Sequence, residues 1–218
     1  MTRYDFRTRL LASGLAALAG YVDAVGFLGT GGFFVSFMSG NSTRLGVGVA
    51  RSAEFAVAAL ALIGAFVAGV IVASAITRKA VDRRQGAVML LVSISLALSA
   101  AIAPLAPPLA TFACVAFAMG AENLVFEADG EVRIGLTYMT GTLVKIGQRL
   151  SIALAGGDRW GWLPFFLLWL GLIAGGVIGA LAYALLGVGS LWIAAGAAAL
   201  LTPIVHRLAG DRRPVPAR

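Results

Sequence analysis

The sequence has almost none of the side chains that make disulfides or transition-metal sites. It contains one cysteine, Cys114, and one histidine, His206, in 218 residues. A single cysteine cannot form an intramolecular disulfide, and a protein metal centre needs several Cys, His, Asp or Glu ligands. We therefore expect no metal ion and no cofactor. Cys114 lies within an apolar run, so we interpret it as a buried structural thiol.

Charged residues are also scarce, and most of them are basic. Only 12% of residues are charged, with 17 Lys and Arg against 10 Asp and Glu, which gives a net charge of +7. On a soluble protein this excess would suggest nucleic acid binding. Here the basic residues cluster in short segments between apolar runs, a placement typical of membrane-protein loops. We expect no nucleic acid partner.

Apolar residues, in contrast, are abundant. They make up 60% of the chain, and the mean hydropathy is +0.92. A soluble domain of this size has no core large enough for so many apolar side chains, whereas a bilayer accommodates them. Several apolar runs approach the ~20 residues that a helix needs to cross a bilayer. They predict an all-α polytopic membrane protein with about six transmembrane helices, near residues 10–28, 55–77, 86–103, 109–125, 162–186 and 191–206.

The distribution of basic residues predicts the orientation. Residues 1–9, the loop at 78–84 and the tail at 207–218 are basic, whereas the connections at 104–108 and 187–190 carry no charge. Basic segments of membrane proteins face the cytoplasm, so we expect a bacterial inner-membrane protein with both termini cytoplasmic. The first run contains Ala17-Leu18-Ala19, which resembles a signal-peptidase site. Because the run continues past it, we expect an uncleaved first span.

Two polar motifs interrupt the apolar runs. We call residues 33–48 the first motif and residues 134–150 the second motif. Four residues of the first motif recur 101 residues later in the second: Met38 as Met139, Gly40 as Gly141, Arg44 as Lys145 and Gly46 as Gly147. A basic residue and two glycines in one frame indicate that the chain contains two copies of one unit.

The repeat divides the chain into residues 1–104, residues 105–206 and a basic tail at 207–218. Three spans in each unit require the two units to point in opposite directions, which is the inverted repeat common among transporters. This count leaves no room for the motifs to cross the membrane, so we expect each to be a re-entrant or broken helical segment. In an eight-span alternative both motifs would cross, and the basic loop at 78–84 would lie outside.

Polar residues in and near the motifs are the candidates for a solute pathway, because ionisable groups within a membrane usually have a function. Asp23 lies inside the first span, and Glu122 and Asn123 lie at the matching place in the fourth. We expect Asp23 to pair with Arg44, and Glu122 to pair with Lys145, around a polar cavity near the midplane. Alternatively, these pairs only lock the two repeats together.

The backbone of the motifs completes the candidate site. Helix starts at these positions would present N–H groups that suit an anionic or strongly polar solute. The motif residues assigned to the pathway are Ser39, Gly40, Asn41, Thr140, Gly141 and Thr142. No serine has a base partner in the sequence pattern, so we expect no nucleophilic catalysis and no enzyme activity.

Two stretches resemble a known family. GYVDAVGF at residues 20–27, followed by FMSGN at 37–41, is similar to the signature of the YoaK family, also called DUF1275 or UPF0700, a group of bacterial membrane proteins of unknown function. GAEN at 120–123 and MTGT at 139–142 resemble the weaker second motif of that family, with Glu122 where the pattern implies glutamine. The resemblance covers nearly the whole chain. It implies a six-span inner-membrane protein and supplies no substrate.

These observations favour a secondary transporter or channel-like permease for a small polar or anionic solute. Asp23 and Glu122 would act as ion- or proton-sensitive gates, with Arg44, Lys145 and the motifs contacting the solute. The alternative from another class is a non-transporting integral membrane scaffold or sensor. The expected partners are the lipid bilayer, the solute and a second copy in a homodimer, since six spans leave lipid-facing surface to pair.

Overall fold

The computed structural model describes residues 4–79, 84–128 and 130–210. Within these residues the chain forms eight α-helices: α1 (Phe6–Gly29), α2 (Met38–Arg51), α3 (Ala53–Lys79), α4 (Arg84–Ile102), α5 (Pro108–Glu122), α6 (Met139–Leu154), α7 (Leu163–Leu186) and α8 (Leu191–Gly210). A 3₁₀ turn, Asn123–Phe126, extends α5, and another, Gly187–Ser190, joins α7 to α8. The strands β1 (Glu127–Ala128) and β2 (Glu131–Val132) pair in an antiparallel hairpin.

Six of these helices are long and apolar. Five stretches of the described chain are long and apolar enough to cross a membrane, and the last of them, Leu163–Leu208, contains both α7 and α8. The six helices lie within a few residues of the six apolar runs in the sequence. The prediction of an all-α polytopic membrane protein is confirmed.

Helices α2 and α6 are shorter than the six long elements, of which α5 reaches 19 residues together with its 3₁₀ turn, and each begins inside a polar motif. α2 has 14 residues and α6 has 16. At 1.5 Å per residue they are about 21 and 24 Å long, less than the ~30 Å hydrocarbon thickness of a bilayer. Their length fits the expected re-entrant or broken helical segments and argues against the eight-span alternative.

Glycines end α1 and turn the chain into the first motif. α1 stops at Gly29, and Gly31 and Gly32 follow with φ values of 71° and 122°, which side-chain-bearing residues rarely adopt. The Thr30 hydroxyl donates to the Gly26 carbonyl oxygen at 2.7 Å and accepts from the Phe33 N–H at 2.9 Å. The first span therefore ends in a glycine turn fixed by one threonine.

Small residues bring α1 and α7 into close contact. Gly20 of α1 lies against the carbonyl oxygen of Leu172, and Gly175 of α7 lies against that of Ala17. A Cβ at either glycine would overlap backbone atoms of the other helix. Such close backbone approach is the usual role of small residues in membrane helices.

The same arrangement recurs between α3 and α5. Gly120 of α5 lies against the carbonyl oxygen of Phe66, and Gly69 of α3 lies against that of Phe117. Each half therefore packs its first helix against the third helix of the other half, so the core is shared between them.

Helices α4 and α8 pack against each other in opposite directions. Gly86, near the start of α4, lies against the side chain of His206, near the end of α8. Further along, Ser93 Oγ and Thr202 Oγ1 are 3.1 Å apart, so one hydroxyl donates to the other. The last helices of the two halves are thus antiparallel.

Two parts differ from the sequence interpretation. The sequence interpretation assigned no strand, yet residues 127–128 pair with residues 131–132, where Gly130 has a φ of 78° and its N–H donates to Glu127 Oε1 at 2.7 Å. In addition, α8 continues to Gly210, so the start of the predicted tail is helical. The remaining tail at 211–218 and residues 1–3, 80–83 and 129 lie outside the described residues.

Candidate functional site

The two polar motifs line one open cleft. Its volume is about 280 Å³. The lining residues are Ser36, Phe37, Met38 and Ser39 from the first motif, Thr137, Tyr138, Met139, Thr140 and Gly141 from the second, and Phe66 of α3. Ser39 and Thr140 are exposed and line the cleft from opposite halves. Segments 101 residues apart in sequence therefore meet at one place.

Two helix N-termini begin at this cleft. α2 starts at Met38 and α6 starts at Met139, and both residues line it. Neither helix has a side-chain hydrogen bond capping its first turn. Because the first N–H groups of a helix carry partial positive charge, two uncapped starts favour an anion or the negative end of a dipole.

Asp23 holds the first motif from behind the cleft. Its Oδ1 accepts hydrogen bonds from the N–H groups of Val35 and Ser36, both at 2.8 Å, and its Oδ2 accepts from the Ser36 hydroxyl at 2.9 Å. These charge-assisted bonds tie α1 to the turn that precedes α2. Asp23 does not line the cleft; it positions the residues that do.

Asn41 holds the same turn from the other side. Its Oδ1 accepts from the Phe34 N–H at 3.0 Å, and its Nδ2 donates to the Phe34 carbonyl oxygen at 2.6 Å. Asn41 is fully buried, and Gly40 beside it packs against the rings of Phe34 and Phe37. The turn between α1 and α2 is thus fixed by one side chain from each of these two helices.

The second motif is held by fewer bonds. Thr137 Oγ1 donates to Asn123 Oδ1 at 3.3 Å, and Asn123 Nδ2 donates to the Met119 carbonyl oxygen at 2.9 Å. Thr142, which matches Asn41, donates its hydroxyl to the Tyr138 carbonyl oxygen at 3.2 Å and does not reach across the turn. Gly141 lines the cleft, and a Cβ there would meet no neighbouring atom.

The expected ion pair between Asp23 and Arg44 is wrong. Arg44 lies six residues into α2, outside the cleft lining, with its guanidinium carbon 5.5–5.9 Å from four phenylalanine ring centroids. The rings belong to Phe27, Phe33, Phe34 and Phe55. Since the N–H groups of the turn already reach Asp23, its carboxylate is satisfied, and Arg44 gains cation–π contacts with these rings instead.

The expected pair between Glu122 and Lys145 is also wrong. Lys145 is exposed, lies outside the cleft lining, and has its Nζ 5.6 Å from the ring centroid of Phe165. Glu122 is fully buried, and neither carboxyl oxygen has a hydrogen-bond partner among the described residues. A buried polar group without a partner is costly, so its retention needs a reason.

Several cleft residues were missed by the sequence interpretation. Ser36 and Phe37 share the 101-residue frame with Thr137 and Tyr138, so the repeat itself could have identified them. Phe66 carries no such signal, because it reaches the cleft only through the packing of α3 against α5. Within residues 4–79, 84–128 and 130–210, no group of three His, Cys, Asp or Glu side chains could hold a metal ion.

Comparison with known proteins points to one family, and the descriptions of that family name no function. The family model described as protein of unknown function (DUF1275) matches residues 11–204. The chain is similar to the UPF0700 transmembrane protein RA0705 of Rhizobium meliloti (strain 1021), with 38% identity over 91% of this chain and 86% of the relative. It is also similar to the UPF0700 transmembrane protein YoaK of Bacillus subtilis (strain 168), with 31% identity over 69% and 70% of the two chains. No solved structure matches.

Proposed function

The chain belongs to the DUF1275 family of transmembrane proteins, and from its geometry we propose that it is a transporter or channel-like permease for a small polar or anionic solute. One observation carries the proposal. The two polar motifs, one from each half, line a single cleft at the starts of α2 and α6, which are too short to cross the hydrocarbon core of a bilayer. Discontinuous helices that meet at a central site are the usual solute sites of secondary transporters. The proposal involves no covalent step.

The proposed solute site is the cleft itself. The N–H groups of Met38, Gly40 and Met139 already donate to carbonyl oxygens of the preceding turns. The hydroxyl groups of Ser39 and Thr140 and the N–H groups of Ser39, Thr140 and Gly141 would contact the solute. Their partial positive charges and hydroxyl donors suit an anion or a carbonyl-rich polar molecule. Asp23 and Asn123 act in the proposal as positioning residues, since each fixes the turn in front of one helix.

Glu122 is the proposed ion- or proton-sensitive group. It lies next to Asn123, which binds the cleft residue Thr137, and its carboxyl oxygens are buried without a partner in the described chain. Uptake of a proton or a cation by this carboxyl would change the local charge balance beside the turn that carries Thr137. Arg44 and Lys145 serve the proposal as anchors that set the angle of α2 and α6, through their contacts with phenylalanine rings.

We also propose that the two halves, residues 1–104 and 105–206, are inverted repeats. The antiparallel packing of α4 on α8 supports this, because corresponding helices of inverted units run in opposite directions. The helix pairs α1–α7 and α5–α3 support it further, because each joins the first helix of one half to the third helix of the other through the same kind of glycine contact. With six spans and basic ends, we propose a bacterial inner-membrane protein with both termini cytoplasmic.

The test is a solute screen on the purified protein in liposomes. Uptake of halides, small carboxylates, other anions and polar neutral solutes would be compared among the wild type, the Ser39→Ala/Thr140→Ala variant and Ser42→Ala. Ser42 is the matched control, because it is an exposed serine of α2 that donates to the Met38 carbonyl oxygen and does not line the cleft. We expect at least one solute to enter with the wild type and the control, and uptake to fall at least about tenfold when both cleft hydroxyls are removed.

A scaffold or sensor would give a different result. No solute would enter with any protein in the screen, and the cleft variant would change only the oligomeric state or the thermal midpoint in detergent. That outcome, with all three proteins folded, would overturn the transport proposal. Uptake that is equal in all three would place the pathway elsewhere in the molecule.

A further inference from the structure

A second concave region lies between α1 and α8. This groove has a volume of about 880 Å³ and shares no lining residue with the cleft between the motifs. It is lined on the α1 side by residues 7–14 and on the α8 side by residues 201–208. It therefore lies where the first helix begins and the last helix ends.

The matching pair of helices, α4 and α5, leaves no comparable groove among the described residues. α4 and α5 correspond to α8 and α1, and they pack together extensively, with the Ser99 hydroxyl donating to the Thr111 carbonyl oxygen at 2.8 Å. α1 and α8 contact each other much less. Gly14 lines the open groove, and a Cβ there would meet no atom within 4 Å. The groove is thus a feature of only one of two otherwise similar helix pairs.

Two arginines line the groove at one end of the helices. Arg7 lies in the first turn of α1, and Arg207 lies in the last turn of α8. Both side chains are exposed, and among the residues that the structure describes no acidic side chain lines the groove with them. Guanidinium groups bind phosphate through paired hydrogen bonds, so this end has the chemistry of a phosphate site.

Below the arginines the walls are apolar. Leu10 is 63% exposed and Ile204 is 47% exposed, and Leu201 and Leu208 complete the α8 wall. From Arg7 to Gly14 the α1 wall extends about 10 Å along the helix axis. A charged entrance followed by an apolar channel of this depth fits a molecule with a phosphate head and a hydrocarbon chain.

We propose that this groove binds one anionic phospholipid. Its headgroup phosphate lies between Arg7 and Arg207, and one acyl chain extends along Leu10, Gly14 and Ile204. Charge complementarity decides in favour of an anionic lipid, because two arginines without an acidic partner among the groove residues leave a net positive entrance. The open space at Gly14 makes room for the chain.

The test measures lipid binding to the full-length protein in detergent, by native mass spectrometry and by thermal shift. Dioleoyl phosphatidylglycerol and dioleoyl phosphatidylcholine are compared, because they share acyl chains and differ in net charge. We expect phosphatidylglycerol to bind roughly 30-fold more tightly, since each basic residue near an anionic lipid contributes a factor of about five. In Arg7→Gln/Arg207→Gln this preference should vanish, whereas Arg51→Gln, a basic residue outside the groove, should keep it.

A second variant tests the apolar part without touching the arginines. Gly14→Phe should fill the groove and abolish binding of phosphatidylglycerol, whereas Gly64→Phe, another glycine with open space around it, should not. Equal binding of the two lipids by the wild type would overturn the proposal, because it indicates ordinary bilayer lipid. If inorganic phosphate stabilised the protein as much as phosphatidylglycerol does, the proposal would also be overturned. It would be overturned as well if the wild type were a dimer and Gly14→Phe made it a monomer that still binds lipid.

Discussion

In the first half of the chain, Asp23 receives three hydrogen bonds from the turn in front of α2, whereas in the second half Asn123 receives one from the turn in front of α6. Asn41 adds two more bonds to the first turn, and Thr142 adds none across the second. Both turns nevertheless line the same cleft. The first turn is the more strongly fixed of the two, and the second is the better candidate for movement.

The helices beneath the turns differ far less. Gly20 and Gly120 occupy the same place in the two halves, and each lies against a carbonyl oxygen of a helix from the other half. The comparison indicates a common helix scaffold with two turns of unequal strength.

The largest effect on stability is expected at the glycine contacts that the two halves share. Gly20→Leu and Gly120→Leu should each lower the free energy of unfolding by more than about 3 kcal/mol or prevent folding, because the new side chain overlaps a neighbouring backbone. Gly64→Leu, which meets no atom within 4 Å, is the control. Thermal unfolding in detergent would measure this. A large effect at only one of the two glycines would contradict the common scaffold.

The next largest effect on stability is expected in the two turns, which are held by different numbers of hydrogen bonds. Asp23→Ala should cost about 3 kcal/mol of stability, because it leaves three donors of the turn without their charged acceptor. Asn123→Ala should cost about 1 kcal/mol. Asp23→Asn should fall between them, because its Oδ1 can still accept from both N–H groups. Equal losses for the two alanine variants would show that the turns are held equally.

Replacement of Glu122 is expected to raise the stability of the protein, whereas the substitutions above lower it. At the matching position the first half has Val22, which is fully buried, and valine has a volume similar to that of glutamate. Glu122→Val should therefore raise stability by about 1 kcal/mol, because it removes a buried carboxyl group without a described partner. In the same variant, the response of transport to pH or to the coupling ion should disappear. A loss of stability would mean that Glu122 stabilises the fold.

The smallest effect on stability is expected at Lys145, and it is best compared with the effect at Arg44, the matching residue of the first half. Arg44→Met should cost about 1–2 kcal/mol, because the guanidinium contacts four rings, whereas Lys145→Met should cost under about 0.5 kcal/mol, because the exposed ammonium contacts one. Urea or thermal unfolding of both variants would measure the difference. Comparable losses would show that the phenylalanine rings around Arg44 add nothing.

Much of the fold was predictable from the sequence, for physical reasons. Long apolar runs have few alternatives to membrane helices, so the six spans and the connection at 187–190 followed from hydropathy and charge alone. The 101-residue frame also identified Ser39 and Thr140, which line the cleft.

The partners of the charged residues were not predictable in the same way. Asp23 and Arg44 have opposite charges and matching positions, which favoured an ion pair, yet the backbone N–H groups of the turn reach the carboxylate. The contacts of Arg44 with four rings depend on tertiary packing, because Phe27, Phe33 and Phe55 come from separate elements. A single sequence shows which groups are polar, but not which of several donors lies nearest.

The central claim is that the two turns line one water-accessible pathway. The most direct measurement is labelling of Ser39→Cys and Thr140→Cys by a charged thiol reagent in liposomes, in a Cys114→Ala background, with Gly64→Cys as the control on an open face of α3. We expect rapid labelling at both cleft positions, slow labelling at residue 64, and protection of both cleft cysteines by the transported solute. Both cleft cysteines remaining unlabelled, or being labelled without protection by any solute, would contradict the claim.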